Sequence, residues 1–265
     1  MDLINLIKRY KSLGIDEVIN HQKFNHIAIV HHSTKIEGST LSELETQVLL
    51  NYGLTPKDKP LQHTLMATDH FAAINFVVQQ ANAKTKISIA FIQQINALVL
   101  KNTGSVYKTV LGDIDAKTGA FRKGNVFAGD TYFPNYDKVA PLTQQMVSQI
   151  TSTLNKPLSQ AEQINLSFDA HFNLVSIHPF YDGNGRTSRL LMNYFQAYFG
   201  LPLAIVYCHA KTEYIQALIN AREKEDSEIF RAFMATQYAQ MLTNEIQKFE
   251  EMVNPQKGKG FNLLF

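Results

Sequence analysis

The sequence predicts an all-α fold, a helical bundle carrying one small β-hairpin flap. Three observations predict it. Apolar residues recur at helical spacing along most of the 265 residues. Only residues 103–137 resist that period, interrupted by Gly104, Gly112, Gly119, Gly124, Gly129 and Pro134. Within that stretch Val126 and Phe127 on one side, and Thr131, Tyr132 and Phe133 on the other, flank Ala128-Gly129-Asp130. This is a hairpin signal too short to found a full sheet.

The elements follow in order. Leu3, Leu6, Ile7 and Tyr10 space an amphipathic first helix. Leu41, Leu44, Val48 and Leu49 space another, with Ser39 and Thr40 expected to cap its start. Residues 61–82 read as a long helix through Leu65, Phe71, Ile74 and Val78, and residues 88–101 and 138–153 as two more. Residues 159–177 carry Ile164, Phe168, Phe172 and Val175 at helical spacing; helices near 186–199, 211–222 and 226–252 follow. The expected organisation is a group of N-terminal helices over 1–60, a main domain over 61–250 and a tail over 251–265. In the tail, residues 256–260 read as loose and residues 261–265 as an apolar docking segment.

Composition narrows the class. Hydrophobic residues make up 45% and charged residues 18%, so a chain of this length can bury a sizeable core. The net charge is only +2 and the basic residues are scattered, which argues against nucleic acid or an anionic membrane as partner. The single cysteine, Cys208, excludes an internal disulfide and fits a reducing compartment. Its neighbours Ile205, Val206 and Tyr207 predict a buried structural thiol. The N-terminal stretch has no apolar core of a leader, and no run reaches the roughly 18 apolar residues of a membrane span, so a cytoplasmic location is expected.

The chemistry concentrates in HPFYDGNGRTSRLLMN, residues 178–193. His178 precedes Pro179, so the preceding helix is expected to end there, with the imidazole at a helix-to-loop junction. Asp182 offers the hard oxygen that Mg2+ prefers. Gly183, Asn184 and Gly185 allow a tight turn with unobstructed backbone N–H groups, feeding a helix N-terminus that favours anions. Arg186 and Arg189 are three apart and share a face, two guanidinium forks suited to a polyphosphate. Leu190, Leu191 and Tyr194 form the buried side of the helix.

That segment resembles the signature of Fic-domain proteins, His-x-Phe-x-(Asp or Glu)-Gly-Asn-Gly-Arg-x-x-Arg, with every fixed position matched. The element order from about residue 27 to about residue 245 is similar to the Fic fold as well. The resemblance implies a protein adenylyltransferase that moves AMP from ATP to a Ser, Thr or Tyr hydroxyl of a target protein. It implies His178 as general base and Asp182 as ligand of Mg2+. It implies an anion hole at Gly183, Asn184 and Gly185, and phosphate contacts from Arg186 and Arg189. Self-association into a homodimer is implied too.

Further along and earlier in the chain, three other stretches take meaning from the same resemblance. HHSTKIEGSTLSELE, residues 31–45, places Ser33 and Glu37 four apart on one helical face, with Gly38 following as a helix stop. It resembles the family's inhibitory motif, (Ser or Thr)-x-x-x-Glu-(Gly or Asn), in the subclass where an inhibitory helix precedes the signature. Glu37 would then pair with Arg189 and deny it to the γ-phosphate. The hairpin between Val126 and Pro134 corresponds to the flap on which a target segment docks as an added strand, with Ala128, Gly129, Asp130 and Thr131 bordering the nucleotide. Tyr214 is expected to stack near the adenine or to serve as a core aromatic. It is followed by Ile215 where relatives often carry a second tyrosine, and Arg222 replaces an asparagine of some relatives.

Two rival readings stand beside transfer: removal of AMP by a water that Glu37 orients, and nucleotide sensing or target binding without turnover. No other catalytic scheme stands out. The adjacent His31 and His32 are expected to point apart. His26, His63 and His70 lack an H-E-x-x-H spacing and read as structural or surface residues, and no G-x-S-x-G elbow exists.

Overall fold

The computed structural model describes residues 2–253. Met1 and residues 254–265, with the tail segments 256–260 and 261–265, lie outside the described residues. The described chain forms ten α-helices and two short β-ladders. In order the helices are α1 (Leu3–Ser12), α2 (His21–Ile36), α3 (Glu43–Tyr52), α4 (Leu61–Asn82) and α5 (Ile89–Val99), then, after the ladders, α6 (Tyr136–Leu154), α7 (Gln160–Ile177), α8 (Asn184–Tyr198), α9 (Lys211–Glu223) and α10 (Ser227–Val253).

Local chemistry explains the starts. Asp2, Ser88 and Ser159 accept backbone N–H groups of the first turns of α1, α5 and α7, and Glu162 closes a reciprocal capping box with Ser159. The cap of α3 corrects the sequence reading. Ser42, with Glu45, forms the capping box; Ser39 and Thr40 do not cap the helix. The spacing Ser/Thr-x-x-Glu occurs twice, at Thr40–Glu43 and at Ser42–Glu45. The Thr40 hydroxyl, which would have to cap in the earlier register, lies instead 3.0 Å from His63 Nδ1, to which the Thr40 N–H also donates at 3.2 Å.

The helix α8 sits at the centre, against α7 on one side and α4 and α5 on others, with α2 touching it as well. Leu190, Leu191, Met192, Tyr194 and Phe195 are all buried, as are Arg186, Thr187, Ser188 and Arg189. A helix buried on every face belongs to the middle of a bundle, and this one brings its polar first turns with it. Among the described residues no helix is long and apolar enough to cross a membrane.

One hairpin was expected between residues 103 and 137; two antiparallel ladders are present, β1 (Val106–Tyr107) with β2 (Ile114–Asp115), and β3 (Phe127–Ala128) with β4 (Thr131–Tyr132). The second is the expected flap. Its two-residue loop is Gly129-Asp130, with Gly129 at φ +57° and Asp130 in the ordinary range, the pattern of a primed turn that needs glycine first. Two further expectations on α2 and its neighbours fail. The rings of His31 and His32 do not point apart but lie edge to face with centroids 5.0 Å apart. Cys208 is only half-buried and its thiol lies 3.3 Å from His32 Nδ1.

Candidate active site

The loop between α7 and α8 is built from residues 178–183. His178 ends α7, as expected, but in the left-handed region at φ +52°, rather than the extended one its proline neighbour favours. The gain is a helix-closing bond from the His178 N–H to the Leu174 carbonyl at 3.0 Å. Arg122 secures the strained residue by donating from Nε to the His178 carbonyl at 2.8 Å. Its Nη1 and Nη2 donate to the carbonyls of Gly124 and Pro134, so one buried guanidinium ties the 178–183 loop to the base of the hairpin.

The imidazole of His178 stacks on Phe133, with centroids 3.8 Å apart and planes 18° from parallel. Burial lowers its pKa from 6.5 to about 4; the Val175 carbonyl opposes this, and the fields of Arg122 and Arg222 add to it. The ring is therefore neutral at pH 7. Its Nδ1 lies 3.3 Å from the Val175 carbonyl. A carbonyl can only accept, so Nδ1 carries the proton and Nε2 keeps the lone pair.

Beyond it the chain makes an anion cradle. Gly183 is at φ +77°, and a side chain there would collide with the Asn96 amide at 2.8 Å. Asn96 in turn donates to the Asp182 carbonyl and to Thr187 Oγ1, both at 3.1 Å, pinning the loop to α5. The Asn184 amide spans the loop, accepting from the Phe180 N–H and donating to the Phe180 carbonyl, each at 2.9 Å. This leaves the first N–H groups of α8 facing outward with the partial positive charge of a helix start. Arg186 makes only long bonds, to the Val99 carbonyl at 3.4 Å and to Asp182 Oδ1 at 3.3 Å, and its buried Nε has no partner among the described residues. Such a guanidinium retains bonding capacity for an anion.

Asp182 Oδ1 accepts from the Gly183 N–H at 2.6 Å and from Arg186, and among the described residues no hydrogen bond reaches Oδ2. A half-exposed carboxylate with one oxygen free, beside an anion cradle, fits Mg2+. That ion commonly binds through one or two carboxylates plus phosphate and water.

Glu37 completes the site from the end of α2. Its Oε1 accepts from Arg189 Nη2 at 2.6 Å. Ser33, one turn earlier, accepts from Arg189 Nε through its hydroxyl at 2.8 Å and from Nη2 through its carbonyl at 3.0 Å. The Glu37 side chain is still 32% exposed; desolvation of its carboxyl would push it up, but the guanidiniums of Arg189 and Arg186 outweigh this and hold the carboxyl below its ordinary range. A methyl group on Gly185 would meet Glu37 Oε1 at 2.6 Å. The carboxylate thus lies directly over the first turn of α8, in the cradle.

Tyr214 differs from a stacking platform: it is 3% exposed, and its hydroxyl lies 2.8 Å from His171 Nε2 and 3.5 Å from Arg189 Nη1. It stands behind Arg189, in the core. Arg222 approaches the site from α9, over the Phe133 ring at 5.6 Å. At the flap, Phe127 and Tyr132 are largely exposed and pair across the strands at 6.0 Å. Ala128, Gly129 and Asp130 are exposed beside them, with Thr131 half-buried. The structure brings His178, Asp182, Arg186, Arg189, Ser33 and Glu37 around the start of α8. Sequence reading missed Arg122, Asn96 and His171. Each acts through contacts 43 or more residues away in sequence.

Comparison with known proteins agrees with this geometry. Residues 86–196, which contain the whole of the 178–189 segment but not Glu37, match the Fic/DOC family. Over 201 residues the chain is 31% identical to the protein adenylyltransferase Fic of Drosophila melanogaster, covering 76% of this chain and 37% of that protein. The chain spans a little over a third of the curated relatives it matches. A Fic domain containing signaling protein from Bacteroides thetaiotaomicron superposes with a TM-score of 0.81 at 20% identity, covering 94% of this chain and 97% of that one. Fic-1 of C. elegans (residues 134–508) superposes with a TM-score of 0.72 at 23% identity, over 94% of this chain and 72% of that one. Matched signature, matched fold and identity to named relatives converge: the chain belongs to the Fic/DOC family.

Proposed function

We propose that this protein transfers AMP from ATP to a hydroxyl side chain of a target protein, and that Glu37 holds the activity back by occupying Arg189. One observation carries the reading. A neutral imidazole and two buried guanidiniums surround a single helix N-terminus, and a carboxylate of the same chain lies where an anion would lie.

His178 Nε2 takes the proton of the target Ser, Thr or Tyr as its oxygen attacks the α-phosphorus. The bond to the β-phosphate bridging oxygen breaks, pyrophosphate leaves, and AMP remains on the target. The N–H groups at Asn184 and Gly185 donate to phosphate oxygens, that of Gly183 joins them by exchanging its bond to Asp182 Oδ1, and Arg186 and Arg189 hold the β- and γ-phosphates. Catalysis is then alignment and charge neutralisation in a site already shaped for them. Asp182 would hold Mg2+, which supplies further neutralisation of phosphate charge. Ala128, Gly129, Asp130 and Thr131 border the nucleotide. A target segment adds to the flap between Val126 and Pro134 by main-chain bonds, beside the exposed Phe127 and Tyr132.

With Glu37 in place, Arg189 has no fork free for a γ-phosphate, and the carboxylate repels the triphosphate. The names of the Drosophila relatives support the transferase reading. The deciding experiment is intact mass spectrometry of the Glu37→Gly protein incubated with ATP and Mg2+. A gain of one AMP on this protein or on an added acceptor is expected. An unmodified Glu37→Gly protein that demonstrably binds ATP would overturn transfer. Release of AMP from a pre-modified protein, lost on Glu37 substitution, would assign the reverse reaction instead.

A further inference from the structure

The second half of α2 and the segment that leads into α9 carry a second cluster that the transfer chemistry does not use. His31 and His32 on α2 and Cys208, at the start of a short 3-10 turn (Cys208–Ala210), place one ligating atom each within 4.8 Å of one another. Among the described residues this is the one group of three histidine, cysteine or acidic side chains so gathered. We propose that His31, His32 and Cys208 form a binding site for a thiophilic divalent cation of the Zn2+ type, and that the bound ion clamps α2 to the Cys208 segment.

The ligand chemistry is that of zinc: two imidazoles and one thiolate from the protein, with a fourth position for water. The atoms are close to a coordinating arrangement. Ligand bonds of about 2.0–2.3 Å in a tetrahedron put neighbouring donor atoms roughly 3.5 Å apart. Cys208 Sγ and His32 Nδ1 are already 3.3 Å apart, and all three ligating atoms lie within 4.8 Å of one another.

The tautomers are arranged by neighbours outside the cluster. The Cys208 backbone N–H points at His32 Nδ1 at 3.4 Å, which makes that nitrogen the lone-pair atom on the side of the thiol. Thr46 Oγ1 donates its single proton to the Ser42 carbonyl at 2.9 Å. It can only accept from His31 Nδ1, 3.4 Å away, so His31 Nε2 keeps its lone pair. Such outer partners are what orient ligating histidines in metal sites. Binding releases the Cys208 thiol proton to solvent.

The position of the cluster gives it a consequence. His31 and His32 immediately precede Ser33 on α2 and stand one to two turns before Glu37 at its C-cap, whereas Cys208 sits on the connection into α9. An ion joining them would fix the end of α2 that carries Ser33 and Glu37. The inference is independent of the transferase reading, and its test uses no nucleotide.

The experiment titrates untagged, reduced protein with Co2+ and records the thiolate-to-cobalt charge-transfer and tetrahedral d–d absorption, followed by competition with Zn2+. Saturable bands at one ion per chain are expected. Cys208→Ser and His32→Gln should each weaken binding by about a hundredfold or more, since loss of an outer partner alone costs 10–100-fold. Circular dichroism and thermal scans check that both variants fold. If Cys208→Ser fails to fold, His32→Gln carries the comparison. Amide hydrogen exchange from His31 to Glu37 should slow about tenfold or more with Zn2+ in the wild type and stay unchanged in the variants. Absence of a charge-transfer band, or binding that survives both substitutions, overturns the site. Binding without slowed exchange overturns the clamp.

Discussion

Glu37 Oε1 lies 2.6 Å from Arg189 Nη2, and the same oxygen is the atom a side chain on Gly185 would strike. The glutamate thus occupies the arginine and the cradle with one carboxylate. Replacing it with glycine frees both at once. ATP-dependent self-labelling of Glu37→Gly should exceed that of the wild type by about a hundredfold, the cost expected for phosphates held roughly 1 Å out of line. Labelling is followed with ATP carrying a tagged α-phosphate. Equal labelling of the two proteins would remove Glu37 from any regulatory role.

Ser33 should act in the same direction but more weakly. Its hydroxyl accepts from the buried Arg189 Nε at 2.8 Å, a bond to a charged donor worth about 1.5–3 kcal/mol. Ser33→Ala leaves Glu37 in place and removes one of the restraints on the guanidinium. A lower melting temperature, by about 2–4 °C per kcal/mol in a chain of this size, and self-labelling between wild type and Glu37→Gly are expected. Unchanged melting would mean that water replaces the hydroxyl without loss.

Tyr214 offers a test of what stands behind the arginine. Tyr214→Phe removes the hydroxyl that pairs with His171 Nε2 at 2.8 Å, in a fully buried setting. The imidazole nitrogen is then stranded, at a cost of about 1–3 kcal/mol. A calorimetric scan should register this as a lower melting temperature. Were the tyrosine an open stacking surface, phenylalanine would serve equally well and stability would not change.

Acid should destabilise the fold before most carboxylates titrate. The pKa of His178 falls from 6.5 to about 4 by burial, that of His32 likewise, and burial lowers His26, His70 and His171 in the same direction. Between pH 6.5 and 4 the unfolded chain binds protons that the folded chain does not, so stability falls as pH drops through that window. Glu37, held below its ordinary range, adds to the loss only at the acid end, as its own partner bond is protonated away. Thermal scans at pH 7, 6, 5 and 4 should show a falling midpoint from the first steps. A midpoint flat down to pH 5 would contradict the burial of these rings as neutral species.

Much of this site was legible in the chain because its parts are local. His178 to Arg189 fall within one loop and one helix, and Ser33 and Glu37 are one turn apart, so spacing alone set their faces. The flap was legible from Gly129 and the β-formers around it. Other features were not, for physical reasons that can be named. Arg122 and Asn96 hold the loop from 56 and 86 residues away, and nothing in a local pattern marks which buried polar side chain will find which carbonyl. Tyr214 had two readings that only packing could separate. The two overlapping capping patterns before α3 were equal in sequence, and the contact of Thr40 with His63, 23 residues on, belongs to no capping rule. His31 and His32 were judged by adjacency alone, whereas Cys208, 176 residues on, gives them a common face.

The seat of Glu37 also fixes how the protein can respond to its surroundings. In the proposed autoinhibition the carboxylate is a competitor on a leash, held by the buried packing of Ile29, Val30 and Ile36. Even a short flexible tether presents its group at on the order of millimolar effective concentration, and a helix already docked presents it higher still. That concentration does not fall on dilution or rise with expression. More nucleotide alone is a poor key, because it must win against a group that never diffuses away. On the proposed reading, what changes the balance is anything that loosens or tightens the seat of α2, so the sensitivity of the activity would reside in the packing of a helix and not in the affinity of its pocket.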